Sequence, residues 1–358
     1  MPQKLHITII QDNDTKNKAY IDLVKHYHDI KLVDVNSVSH DDIMRSAVII
    51  VQVDLNDPNS ISPLKDIMAL PERCHIPTFF LLREFSRREV VQANTLGATD
   101  YIVYPCPNHI FIQTLEDLIN KTVEKAWSKL TEVQEEALKV CLKVVEKTFH
   151  NASKGLEVSQ KEVKDSCKLI VEATAKDGLN DWMDAIRQHH NSTYRHSMMV
   201  CGYLVSFGML IGIKKTDLQT LAVGGMIHDI GKAAIPLEIL EKPSELTCSE
   251  RKIMEQHPVD SRIILANAKW DEMLIDIAVH HHENLDGSGY PDGLKGNQIS
   301  DIVRAASIAN VFTDLTDKRS YKPAMTAEKA IETMLAMGNQ LDIDLIKAFR
   351  PVVLTGES

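Results

Sequence analysis

No Cys-x-x-Cys pair occurs in this chain. Its six cysteines (Cys74, Cys106, Cys141, Cys167, Cys201, Cys248) are scattered, which argues against a disulfide scaffold or a thiolate zinc site and fits reduced thiols in a cytoplasmic protein. A surplus of positive charge is also missing. Forty Lys and Arg against fifty Asp and Glu leave a net charge of −10, which argues against a DNA-binding face or an anionic-membrane surface. A small anionic ligand held by metals and a few local cations remains compatible with that balance. No apolar run reaches bilayer length. The longest, Val200 to Ile213, is interrupted by glycines and reads as a buried helix, and Met1 to His6 carries no signal-like run. Repeats and low-complexity segments are absent as well. What is present is a globular composition, 44% hydrophobic and 25% charged, in 358 residues, long enough for two domains.

The first part alternates short β-branched runs with helical segments. Leu5–Ile10, Ala47–Val53, Thr78–Leu82 and Asp100–Val103 read as central parallel strands, which predicts a doubly wound α/β domain. Asp54 with Pro58 four residues on, and the run Gly97-Ala98-Thr99-Asp100-Tyr101-Ile102, resemble a response-regulator receiver. The resemblance implies Asp54 as phosphoacceptor, but its supporting chemistry is altered. Gln11 precedes Asp12 where two acids are expected. Leu82-Arg83 stand in place of a hydroxyl residue, and Tyr104 precedes Pro105 in place of a lysine. An aspartyl phosphate would lack the groups that stabilise it, so a receiver-shaped module for dimerisation or partner binding is the favoured reading. Domain limits are set at 1–120 for this module, 121–150 for a helical linker and 151–358 for an almost wholly helical domain. In the linker, Ile119, Val123, Ala126, Leu130, Val133, Ala137, Val140 and Val144 keep a heptad spacing, which predicts a coiled coil joining two protomers. The alternative is one amphipathic helix packed on its own domain.

The C-terminal part concentrates histidine and aspartate. His196 opens an apolar helix, His228-Asp229 ends the run Leu221–Ile227, His257 follows Gln256, and His281-His282, next to the carboxylate of Glu283, end the run Met273–Val279. Only a folded helical bundle could bring these together. Imidazole with carboxylate and no thiolate suits iron, manganese, zinc or nickel. Two such ions would share a bridging carboxylate and a hydroxide able to attack phosphorus. Any one of these histidines alone would more readily be an ordinary core or surface residue.

Two fragments narrow the reading. His228-Asp229-Ile230-Gly231-Lys232 and His281-His282-Glu283-Asn284-Leu285-Asp286-Gly287-Ser288-Gly289-Tyr290-Pro291 together resemble the HD-GYP family of bacterial c-di-GMP phosphodiesterases, over about residues 185–350. The resemblance implies an all-α HD-type bundle. It implies His228, Asp229, His257, His281 and His282 as metal ligands with Asp229 bridging, and His196 at the cluster or its edge. Lys232 would stand by the attacking water and the scissile phosphate. Tyr290 would contact the nucleotide, and Arg319 and Lys322 would hold phosphates. The family's Val-Ala-Asp segment is Ile308-Ala309-Asn310 here. Asn310 can ligate through its carbonyl but brings no charge, so a weaker second metal beside His281 and His282 is expected. Asp314, one turn on, shares its helical face. Ser192 replaces a glutamate associated with a third ion, which favours two metals, and Thr313 replaces a further aspartate.

The leading expectation is a metal-dependent phosphodiesterase cleaving c-di-GMP to linear pGpG, with slower conversion to GMP, in a cytoplasmic homodimer with a signalling partner. The rival is a catalytically silent effector that binds a cyclic dinucleotide or a protein. A third reading is an HD-type hydrolase for a different cyclic dinucleotide.

Overall fold

The computed structural model describes residues 5–12, 19–127, 130–178, 180–189, 191–240, 242, 244–317 and 324–354. The chain divides into two compact units, Met1–Ala126 and Trp127–Ser358.

The first unit is built on a sheet of β1 (His6–Gln11), β2 (Asp29–Asp34), β3 (Val48–Gln52), β4 (Thr78–Leu82) and β5 (Asp100–Val103), all parallel and ordered β2-β1-β3-β4-β5. That is a doubly wound order. Helices α1 (Ala19–Tyr27), α2 (His40–Met44), α3 (Pro58–Met68), α4 (Arg87–Thr95) and α5 (Asn108–Ala126) connect and cover it. Alternation along the strands divides the core. Ile7, Ile9, Val48, Ile50, Phe79 and Leu81 pack on α1 and α5 through Tyr20, Val24, Phe111 and Leu115. Ile10, Ile49, Val51, Phe80 and Leu82 pack on the opposite face with Ile43, Leu64 and Ala93.

The second unit is helical among its described residues: α6 (Glu132–Ser153), α7 (Gln160–Asp177), α8 (Asn180–Arg187), α9 (Ser192–Leu210), α10 (Lys215–Ile227), α11 (Leu237–Leu240), α12 (Cys248–Met254), α13 (His257–Asn267), α14 (Glu272–His280), α15 (Asp301–Thr316), α16 (Ala327–Ala336) and α17 (Ile343–Leu354).

The expected heptad helix is two helices. α5 ends at Ala126, and α6 restarts behind a capping box in which Thr131 and Gln134 satisfy each other's backbone N–H groups. Ile119 is buried in the first unit's core and Val123 packs against it. The buried face of α6 is Ala137, Leu138, Cys141, Leu142, Val145 and Phe149, turned partly away from Val133, Val140 and Val144. These faces pack within their own units, and α6 lies in the second unit.

Two close approaches position the centre of the bundle. A Cβ on Gly225 of α10 would lie 2.6 Å from the Cys201 backbone, so glycine lets α9 and α10 touch. A Cβ on Gly231 would meet the His257 carbonyl oxygen. Glycine there lets the 3-10 turn Ile230–Ala234 lie against the start of α13, with Gly231 N donating to Ser261 Oγ at 2.9 Å.

Candidate metal centre

Each predicted ligand sits at a helix end or on a helix facing the same point. His196 lies in the first turns of α9, His228 and Asp229 follow α10, His257 starts α13, and His281-His282 follow α14. Asn310 is on α15 and 2% exposed.

Asp229 is at the middle. Its Oδ1 lies 3.2 Å from His257 Nε2 and 3.6 Å from His281 Nε2. Its Oδ2 lies 3.3 Å from His228 Nε2, 3.5 Å from His196 Nε2 and 2.5 Å from Lys232 Nζ. The donor atoms thus form two sets sharing one carboxylate: Asp229, His257, His281, His282, and His196, His228, Asp229. Asn310 Oδ1 is 2.9 Å from His196 Nε2. Its described contact is therefore with the His196–His228 set, not with His281 and His282 as the sequence suggested.

The tautomers are fixed by the backbone. Nδ1 of His228, His257 and His281 donates to the carbonyls of Gly225 (2.8 Å), Met254 (2.7 Å) and Ala278 (3.1 Å). A carbonyl only accepts, so Nδ1 carries the proton and each Nε2 keeps its lone pair for the cluster. Asp229 Oδ1, His257 Nε2 and His281 Nε2 are buried without hydrogen-bond partners. Such groups cost about 1–3 kcal/mol each when left unpaired. Converging acceptors with no donor between them fit divalent cations.

Electrostatics agree. Burial holds the His196 imidazole down at about 4 and His281 at about 3, and drives His282 well below its ordinary range. The rings are neutral and ready to ligate at neutral pH. Burial by itself would raise Asp229, but Lys232, His228 and His257 outweigh it and hold the carboxyl well below the usual range.

Tyr290 stacks on His282, ring centroids 4.8 Å apart and planes 19° from parallel. Burial raises its phenol, and the carboxylates of Asp229, Glu255 and Asp314 add to the effect. Glu283, next to the paired histidines, shapes the adjoining turn. Its carboxylate accepts from the backbone N–H of Asp292 (2.7 Å), Gly293 (2.9 Å) and Leu294 (3.0 Å), and so shapes the turn that carries Tyr290. His280 precedes the paired histidines and faces away from a ligand role. Its Nδ1 bonds Asp276 at 2.6 Å and its Nε2 bonds Asp292 at 3.0 Å, while Arg262 also reaches Asp292 at 2.5 Å. This ties the same turn to α13 and α14. Thr313 is buried, with Oγ1 bonded to the Ala309 carbonyl at 2.7 Å. Arg319 and Lys322 lie outside the described residues.

In the first unit, Asp54 follows β3 and its backbone N–H donates to Asp12 Oδ2 at 2.6 Å. Its carboxylate is ion-paired with Arg83, Nη1 to Oδ2 2.7 Å. The residue that replaces the expected hydroxyl therefore occupies the expected phosphoacceptor.

Residues 163–345 match the model of the HD domain family. The chain belongs to the HD-domain family. Among curated relatives it is 34% identical over 158 residues to a cyclic di-GMP phosphodiesterase of Pseudomonas aeruginosa, covering 44% of this chain and 38% of that protein. It is 37% identical over 142 residues to 3'3'-cGAMP-specific phosphodiesterase 1 of Vibrio cholerae, covering 40% of this chain and 33% of that protein. The matched stretches thus span about a third of these relatives' length. Among solved structures, the HDG"Y"P protein from Bdellovibrio bacteriovorus matches with a TM-score of 0.51 at 18% identity, covering 67% of this chain and 79% of that one. That likeness concerns the fold. No helix among the described residues is long and apolar enough to cross a membrane.

Proposed function

We propose that the HD unit is a metal-dependent phosphodiesterase that opens c-di-GMP to linear pGpG, with slower passage to GMP. The observation that carries this reading is Asp229, whose two oxygens face two separate histidine sets. His196, His228, Asp229 and Asn310 would hold one divalent ion, and Asp229, His257, His281 and His282 the other. Iron or manganese is favoured over zinc or nickel. When bound, such a pair supplies an activated water and offsets charge on the phosphoryl oxygens.

The chain's own groups do the rest. Lys232 offsets the Asp229 charge and is near enough to turn its ammonium to a phosphate oxygen. Tyr290, held on His282 by a turn fixed through Glu283, offers an aromatic face and a hydroxyl to a base or sugar. Arg319 and Lys322 would bind phosphates. Asn310 leaves its ion one charge short, which lowers occupancy and turnover. The absence of a glutamate at Ser192 favours two ions and the linear product.

The named relatives support a cyclic dinucleotide as substrate class, and the cGAMP-specific relative gives one observation for a second reading, 3'3'-cGAMP. Purified protein loaded with Mn²⁺ or Fe²⁺ under reducing conditions should convert c-di-GMP to pGpG. Saturable binding with no linear product in any metal contradicts the enzyme reading and leaves a silent effector. Faster turnover of 3'3'-cGAMP moves the assignment to the second substrate.

For the first unit we propose a receiver-shaped partner or dimerisation module in a cytoplasmic protein. The Arg83–Asp54 ion pair supports a role without phosphate transfer. Acetyl phosphate with Mg²⁺ should leave Asp54 unlabelled, and a phospho-Asp54 peptide contradicts this.

A further inference from the structure

The set containing Asn310 is short of negative charge. His196, His228 and Asn310 are neutral, and Asp229 is shared with the other set and paired with Lys232. Asp314 lies one turn beyond Asn310 on α15, with Oδ1 3.6 Å from His196 Nδ1. His196 differs from its neighbours in just this respect. Nδ1 of His228, His257 and His281 is held by a backbone carbonyl three residues earlier, whereas Nδ1 of the buried His196 has no hydrogen bond. The group facing it is a carboxylate.

The opposite nitrogen of the ring faces the cluster, Nε2 being 2.9 Å from Asn310 Oδ1 and 3.2 Å from His228 Nε2. The imidazole therefore stands between Asp314 and the donor atoms, and Asp314 acts through it. Without an ion, Asn310 Oδ1, an acceptor, keeps the His196 proton on Nε2; an ion held at Nε2 would move that proton to Nδ1, where the carboxylate can accept it and make Nε2 a stronger donor. Oδ1 of the partly exposed Asp314 thus lies just beyond hydrogen-bond length of the ring.

We propose that Asp314 is a positioning residue for His196, and that the Asp314–His196 pair returns to this ion site the negative charge that Asn310 does not bring. The inference rests on the two-ion reading above and adds a residue and a compensation to it.

The test is a Mn²⁺ titration of the full chain by calorimetry, with metal counted per chain and thermal melting as the folding control. Asp314→Asn removes the charge while keeping the shape. It should weaken one of the two ion sites about 10- to 100-fold and leave the other unchanged. Asp314→Glu should retain most of the affinity, and adding Asn310→Asp to Asp314→Asn should recover it. Wild-type affinity at both sites in a folded Asp314→Asn chain overturns the assignment, and failure of Asn310→Asp to restore the loss overturns the compensation. A wild-type chain that takes up one ion or none overturns the two-ion reading itself. That failure is recognisable because it precedes any substitution.

Discussion

Arg195 and Asp317 form a buried two-pronged ion pair, Nε to Oδ1 at 3.0 Å and Nη2 to Oδ2 at 2.8 Å. It joins the start of α9, one residue before His196, to the end of α15, seven residues after Asn310. Burial would raise the Asp317 carboxyl, but the Arg195 guanidinium prevails and holds it low. Removing one partner of such a pair leaves a buried charge uncompensated, at a cost of about 3–5 kcal/mol. Arg195→Met should therefore lower stability by that order in urea and weaken metal at the His196 set. A change below about 1 kcal/mol would show that α9 and α15 are held by apolar packing alone.

Glu283 should behave as an organiser of the Tyr290 turn and not as a ligand. Glu283→Gln replaces an acceptor with an amide donor facing backbone N–H groups, at about 1–3 kcal/mol for the unpaired contacts. Hydrogen exchange at residues 287–294 should quicken and KM should rise more than kcat falls, with two ions still bound. Loss of an ion in this variant would make Glu283 a ligand.

The metal-free protein should weaken on mild acidification. His189 and His196 sit at about 4, and His281 at about 3, each pushed down mainly by burial. In the unfolded chain a histidine titrates near 6.5. Between these values the unfolded state binds more protons, so stability is full above about pH 6.5 and is lost as pH falls toward 4. Each histidine contributes up to about 1.4 kcal/mol per pH unit in that window. Denaturation midpoints measured in chelator from pH 7 to 4 should fall steadily, and a flat profile contradicts the buried neutral rings.

Much of the site was legible because its chemistry lies in short contiguous fragments. His228-Asp229 and His281-His282 are adjacent candidate ligands, and strands alternating with helices disclosed the sheet. The rest depended on contacts between distant elements. Nothing in the order of residues shows that Asp314 faces His196 or that Arg195 meets Asp317 across 122 positions. The role of Glu283 was not legible either, because sequence does not show a carboxylate facing three backbone amides. The heptad spacing gave no sign of the helix boundary inside it, where Thr131 and Gln134 cap a new helix.

The central claim is that Asp229 bridges two ions. Anomalous diffraction from crystals of the Mn²⁺-loaded protein tests it most directly. The account predicts two peaks about 3.5–4 Å apart, one on the Oδ1 side with His257, His281 and His282 and one on the Oδ2 side with His196, His228 and Asn310. A single peak, or peaks that leave one Asp229 oxygen without an ion, would contradict it.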